Sequence, residues 1–194
     1  MKRLLFFILP IIIFGFSQQQ NNDDIVVWAK ERKLTWNDFQ GTIPYRGFGT
    51  AVSSCSIYTI YNLRNDYTLK IGSYSYLRKS KSWKREEAVS NDYGLNHEQR
   101  HFDIAEIHSR IFKKKLVNYN YKSINESNVY FDKLLKKVDY FLERMNEQYD
   151  YETNHSQIRS AQLRWDKKID SMLVSLDAYS KQEFIIDLNY LRKQ

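Results

Sequence analysis

The chain has 194 residues, with 30 lysines and arginines against 23 aspartates and glutamates, 42% apolar residues, six glycines, two prolines and one cysteine. This length is typical of one domain with an adequate hydrophobic core. The low glycine, proline and cysteine content excludes collagen-like, low-complexity and disulfide-scaffold classes, and the apolar content argues against intrinsic disorder. The formal charge of +7 would suit a nucleic-acid-binding protein, so the position of that charge matters.

The N-terminus has the pattern of a secretory signal peptide. Two basic residues precede an apolar run over residues 4–16, and Ser17 follows as a small residue before a polar stretch. The run is shorter than the ~20 apolar residues that a transmembrane helix needs, although an uncleaved anchor is the alternative. We therefore predict a signal peptide over residues 1–17, a single domain over 18–194, and a secreted or periplasmic protein with no membrane span after signal removal.

Removal of the signal peptide would lower the formal charge from +7 to +5, because it takes away two basic residues and no acidic one. An exported protein seldom meets nucleic acid. We therefore expect no nucleic-acid partner and attribute the excess charge to the surface, or to affinity for an anionic envelope.

The middle of the chain has the pattern of β-strands. β-Branched and aromatic residues alternate over 57–61 and 67–77 around a turn at 62–66, which predicts a hairpin. The single cysteine, Cys55, lies just before the hairpin. It has no partner for an intramolecular disulfide, and we expect it to be a buried strand residue.

Helical periodicity begins after Gly94 and continues to the end of the chain. It predicts helices over 95–116 and 124–148, a third helix that begins after Asn154, and a short closing helix over 182–191. Strands first and helices afterwards define the α+β class. We expect an N-terminal β-rich half, formed by a twisted sheet with the hairpin, followed by a helical C-terminal half.

Three of the four histidines lie within twelve residues, and two of them form the pattern H-E-x-x-H through His97, Glu98 and His101. Residues four apart share one face of a helix, so both imidazoles could bind one Zn²⁺. The adjacent glutamate could accept a proton from a metal-activated water. The pattern opens the first predicted helix directly after the β-rich segment, as expected for a zincin-type metallopeptidase. The alternative is a pair of solvated surface histidines.

A catalytic zinc needs a third protein ligand and an open position. His108 lies on the same helix face, but about 10 Å further along the axis than His101, which is too far to share one ion. Glu126 would begin the second helix, where it could equally be a capping-box partner of Ser123. His155 would begin the third helix. The residues favour His155 as the third ligand and keep Glu126 as the alternative.

Three sequence blocks lie at 34–41, 96–106 and 149–155, and the last is followed by Gln162 and Trp165. Together they resemble a family of predicted secreted bacterial zinc-dependent proteases, domain-of-unknown-function family 922. The resemblance covers nearly the whole chain after the signal peptide. Its central block is distinctive because H-E-x-x-H is followed there by Phe-Asp-Ile-Ala-Glu.

The resemblance implies a zincin-like fold and one Zn²⁺ per chain. It implies His97, His101 and His155 as the ligands, with Glu98 as the catalytic acid and base. The family pattern usually has glycine after the third histidine, where this chain has Ser156. That difference concerns the geometry of the loop more than the ligands.

Polar residues near the ligands could support them. Ligating histidines usually donate their second N–H to a carboxylate or carbonyl. The nearby carboxylates are Asp103, Glu106, Asp150 and Glu152. Helix geometry points Glu106 away from the metal face, so it could instead tie the helix to the sheet or to an arginine. Tyr149 or Tyr151 could stabilise an oxyanion, or either could be a packing residue.

We therefore expect a secreted or periplasmic zinc peptidase that acts on a peptide or protein substrate, with Glu98 as general base. The substrate backbone could add to an edge strand of the hairpin. Two other functions stay open, namely a non-catalytic envelope binding protein on the same fold and an amidase that acts on cell-wall amide bonds. The intact Glu98 argues against the binding protein, which would need no general base.

Overall fold

The structure is a computed structural model that describes residues 23–46, 49–90 and 92–193. The predicted signal peptide lies outside these residues. The described strands are β1 (Ile25–Val27), β2 (Ala51–Val52), β3 (Cys55–Leu63), β4 (Thr68–Arg78), β5 (Trp83–Lys84) and β6 (Glu183–Asp187). The α-helices are α1 (Asp92–Val117), α2 (Ile124–Thr153) and α3 (Arg159–Ser175).

Strand β4 is the centre of the main sheet. β3 pairs with it antiparallel, from Cys55 opposite Leu77 to Leu63 opposite Leu69, which confirms the predicted hairpin. On the other edge of β4, β1 and β6 pair with its two ends, both antiparallel. Side chains of a strand alternate between faces, and this alternation buries Leu69, Ile71 and Leu77 completely. β2 and β5 form a separate two-stranded sheet.

The predicted closing helix over 182–191 is wrong. Strand β6 forms there instead and is followed by a short 3₁₀ turn. Phe184 and Ile186 pack against the core, while Ile185 between them is 58% exposed. This period of two, with adjacent β-branched residues, favours a strand when the edge of β4 supplies hydrogen-bond partners.

Helix α1 lies across the sheet, and α2 and α3 pack against it. Phe102, Ala105, Ile107 and Phe112 are fully buried along α1, as their helical spacing predicts. The α+β class is thereby confirmed, with a sheet-rich N-terminal half and a helical C-terminal half. Within the described ranges, no helix is both long enough and apolar enough to span a membrane.

The second and third helices have different bounds from those predicted. α2 starts after its N-cap Ser123, as expected, but continues to Thr153. α3 begins only at Arg159. The connection between them contains three consecutive residues with positive φ, at 46° for Asn154, 50° for His155 and 70° for Ser156. His155 therefore lies in a tight left-handed turn rather than at a helix start.

Candidate metal centre

Two histidines and one aspartate, all of them common metal ligands, lie close together where the start of α1 contacts the end of α2. His97 and His101 project from one face of α1, one turn apart, as the H-E-x-x-H spacing predicts. Asp150, in the last turn of α2, places its Oδ1 3.1 Å from His97 Nε2 and 3.0 Å from His101 Nε2. Two ligand atoms of a tetrahedral zinc stand about 3.3 Å apart. These three residues could therefore hold one metal ion.

His155 lies at the margin of this group. Its Nδ1 is 3.8 Å from Asp150 Oδ1, and its side chain is half exposed. It lines the same cleft as the two α1 histidines. The structure thus brings Asp150, expected only in a supporting role, to the position that the sequence assigned to His155.

Both α1 histidines are oriented by side-chain amides. His97 Nδ1 donates to Gln162 Oε1 at 3.0 Å, and His101 Nδ1 donates to Asn146 Oδ1 at 2.8 Å. An amide oxygen can only accept, so each Nδ1 carries a proton and Nε2 faces Asp150. The Gln162 amide is itself oriented by its NH₂ group, which donates to the Asp166 carboxylate at 2.9 Å. The second N–H of each histidine is therefore accepted by a side-chain amide from α2 or α3, and not by a carboxylate as the sequence suggested.

The charges of the centre are coupled in the metal-free protein. Burial opposes a charge on His101, but the hydrogen bond to Asp150 and its negative charge raise the pKa of this histidine to about 9. Burial also opposes the Asp150 carboxylate, yet its bonds to His101 and His97 hold its pKa well below the ordinary value. The pairing of His101 with Asp150 thus lies where a cation would bind, so binding of a cation would compete with protonation of His101.

Glu98 is buried beside the two histidines and is held by the sheet side of the cleft. Its Oε2 accepts the backbone N–H of Ser53 at 2.7 Å, just before β3 begins. The cleft has a volume of about 710 Å³. Trp36 from the first sequence block lines it, together with Ala51 and Val52 of β2. A carboxylate fixed in this way is placed to exchange protons with a group in the cleft.

Glu126 is far from the centre. Glu126 N donates to Ser123 Oγ at 3.1 Å, and Glu126 Oε2 accepts Lys122 N at 2.8 Å, so it caps α2. It precedes Asp150 by 24 residues, which is about 36 Å along the helix axis. The structure therefore does not bring this alternative ligand to the two histidines.

Of the other candidates, Tyr149 and Glu152 support the framework of the centre, whereas Tyr151 faces solvent. Tyr149 is fully buried, stacks on His97 with ring centroids 4.6 Å apart, and its hydroxyl lies beside Gln162. Tyr151 is 85% exposed and is not among the residues that line the cleft. Glu152 accepts the Trp165 indole N–H at 2.7 Å and so ties α2 to α3. The contacts of Tyr149 and Glu152 are thus those of packing and bracing.

Glu106 has the tying role predicted for it, and His108, as expected, takes no part in the centre. Glu106 accepts Arg110 Nε at 2.8 Å and the Ser75 hydroxyl at 3.2 Å, so it ties α1 both to an arginine and to β4. His108 is buried away from the centre and donates from Nδ1 to the carbonyl of Ile104.

Arg100, which no sequence motif indicated, supports the centre through three aspartates of α1 and α3. It donates to Asp166 at 3.0 Å, to Asp103 at 3.1 Å and to Asp170 at 2.6 Å. Asp166 in turn orients Gln162. One feature of the sequence could have predicted this network. Gln162, Asp166 and Asp170 are spaced four residues apart, which puts all three side chains on one face of α3.

Comparisons of the chain with protein-family models, with curated proteins and with solved structures found no match. The geometry of the chain itself therefore defines the class of site. It is a group of two histidines and one carboxylate that could hold a metal ion, next to a buried glutamate, on an α+β fold.

Proposed function

We propose that the protein is a secreted or periplasmic zinc-dependent peptidase of the zincin-like class and a member of family 922. The observation that carries the proposal is the approach of Asp150 Oδ1 to within 3.1 Å of both His97 Nε2 and His101 Nε2. Glu98 lies in the same cleft. Two imidazoles and a carboxylate are a donor set that suits zinc, and three protein ligands leave a position for water or substrate.

We propose His97, His101 and Asp150 as the zinc ligands, one ion per chain. His155 is the alternative third ligand, implied by the resemblance and supported by its place in the cleft. The amides of Gln162 and Asn146 would keep each imidazole turned with Nε2 toward the ion.

When bound, Zn²⁺ would supply Lewis-acid polarisation and a lowered pKa for water. Glu98 would accept the proton of the attacking water and deliver it to the leaving amine. The N–H of Ser53 would keep the Glu98 carboxylate in place during both transfers. In the described part of the sheet no strand covers the outer edge of β3, whose first residue Cys55 lines the cleft, so a peptide backbone could pair there.

The test is cleavage of a broad peptide library by the wild type and by Glu98→Gln, with bound zinc measured in both. We expect Glu98→Gln to keep its zinc and to lose cleavage by about 100- to 10,000-fold, since it removes a general base. Glu87→Gln, at an exposed glutamate outside the cleft, is the matched control and should be fully active. Equal cleavage by Glu98→Gln at full zinc loading would exclude this mechanism. A zinc-loaded wild type that cleaves no peptide would instead support the binding protein or the cell-wall amidase.

A further inference from the structure

A second cleft lies between α2 and α3, above α1, and we call it the α2–α3 groove. Its volume is about 570 Å³, within the range of small-molecule sites. Its apolar lining consists of Ile111, Val138, Phe141, Met145 and Met172. None of these residues belongs to the metal centre.

The groove also contains a histidine that the proposed peptidase does not use. His108 lines it and is only 4% exposed. Its Nδ1 donates to the Ile104 carbonyl at 2.8 Å, and burial lowers the pKa of His108, so the imidazole is neutral at pH 7. Nε2 is then a hydrogen-bond acceptor. Within the described part of the chain, no hydrogen bond to His108 Nε2 is formed.

Two cations stand at the rim of the groove, Arg144 and Lys168. Arg144 pairs with Glu147 at 2.7 Å, but both side chains are more than 60% exposed, so this pair is weak and easily exchanged. Lys168 Nζ lies 3.8 Å from the centre of the Trp165 ring. An anion at the rim could therefore be bound without breaking a buried ion pair.

We propose that the α2–α3 groove binds a small aromatic acid that carries a hydroxyl or N–H donor. Its ring would lie against Phe141, Met145 and Met172, because aromatic and thioether side chains make favourable contacts with rings. Its donor would meet His108 Nε2, and its anionic group would lie between Arg144 and Lys168. This proposal does not depend on the metal centre or on peptidase activity.

The test is calorimetric titration of the full chain with three probes. They are 4-hydroxyphenylacetate, which has ring, donor and anion; phenylacetate, which lacks the donor; and p-cresol, which lacks the anion. We expect saturable 1:1 binding of 4-hydroxyphenylacetate and affinity about five- to tenfold weaker for phenylacetate, because a buried acceptor is then left unpaired. No saturable binding of 4-hydroxyphenylacetate, or equal affinity for the two acids, would overturn the proposal.

Variants locate the bound probe. His108→Phe keeps the shape of the ring and should make the two acids bind equally, whereas Lys168→Gln should weaken both acids and leave p-cresol unchanged. Phe141→Ala should weaken all three probes. Leu163→Ala is the matched control, because Leu163 is 55% exposed on the opposite face of α3 from Met172. Binding that Phe141→Ala leaves unchanged would place the probe elsewhere, for example at the metal centre, and would overturn the proposal even if His108→Phe failed to fold.

Discussion

Gln162 on α3 accepts a hydrogen bond from Nδ1 of His97 on α1 at 3.0 Å, across 65 positions of sequence. The contact fixes which imidazole nitrogen faces the candidate metal centre. We expect Gln162→Met, which keeps the length of the side chain and removes the acceptor, to weaken zinc binding by about 10- to 100-fold. Competition with a chromophoric chelator measures the affinity. Gln40→Met, at an exposed glutamine, should bind zinc like the wild type. Unchanged affinity in Gln162→Met would show that this contact does not orient the ligand.

The raised pKa of His101 predicts how metal binding depends on pH. Its value of about 9 in the metal-free protein lies above the ordinary 6.5, so the proton stays on the ring through neutral pH and must leave before Nε2 can bind a cation. Zinc affinity should therefore increase with pH, by close to tenfold per unit between about pH 6.5 and 9. Titrations at several pH values, with the His101 ring resonances followed by NMR, check this. A flat profile over that interval would contradict it.

The raised pKa of His101 also predicts that the metal-free protein loses stability as the pH rises. Because the folded pKa of His101 exceeds the unfolded one, its pairing with Asp150 stabilises the metal-free fold fully below about pH 6.5. That contribution is lost as the pH rises through about 9. Zinc-loaded protein should not show this loss, since no proton is then held at Nε2. Thermal unfolding of both forms at pH 6 and pH 9 makes the comparison.

The third ligand can be identified by paired substitutions. We expect Asp150→Ala to reduce zinc affinity by at least 100-fold, because it removes the atom that contacts both histidines. His155→Ala should retain affinity within about tenfold, since His155 Nδ1 lies at the margin of the group, 3.8 Å from Asp150 Oδ1. Metal analysis after dialysis gives the answer directly. The opposite result, with zinc kept in Asp150→Ala and lost in His155→Ala, would assign the site to three histidines.

The left-handed turn after α2 predicts a stabilising substitution. Ser156 has φ 70°, a conformation that costs a residue with Cβ about 1–2 kcal/mol and that glycine adopts freely. Glycine loses about 0.5–1 kcal/mol through its greater freedom in the unfolded chain. Ser156→Gly should therefore raise the free energy of unfolding by about 0.5–1 kcal/mol in a denaturant titration. Ser180→Gly, at φ −70°, should lower it. A loss of stability in Ser156→Gly would mean that the serine side chain contributes more than the strain removes.

The Arg100 network should matter far more than the exposed ion pair on α2. Arg100 is 14% exposed and bonds to the almost completely buried Asp103, whereas Arg144 and Glu147 are largely exposed. Arg100→Leu leaves a buried carboxylate without its cation and should cost about 3 kcal/mol. Arg144→Leu should cost less than about 1 kcal/mol. Chemical unfolding of the two variants gives both changes in the free energy of unfolding. Similar decreases would show that the Arg100 network contributes no more to stability than an exposed ion pair.

The local periodicity of the sequence predicts much of this fold and, of the three proposed metal ligands, His97 and His101. The hairpin of β3 and β4 and the helix that carries His97 and His101 depend on neighbours in sequence, so their patterns were visible. Asp150 was not visible as a ligand, because its approach to the histidines depends on how α2 crosses α1 more than 45 residues away. The connection after α2 was misplaced because Asn154 is a good residue both before a helix and in the left-handed position after one.

Strands β1 and β6, the first and last described strands, occupy the same edge of β4. The central strand therefore has its full set of hydrogen bonds only when residues about 115 positions downstream have returned to it. Such non-local pairing slows folding, because the chain must close a long loop before the contact repays it. Until then the N-terminal half of β4 offers an open edge through which two molecules could pair. Pairing of the five-residue strand β6 thus ends the interval in which the incompletely folded chain is prone to aggregate.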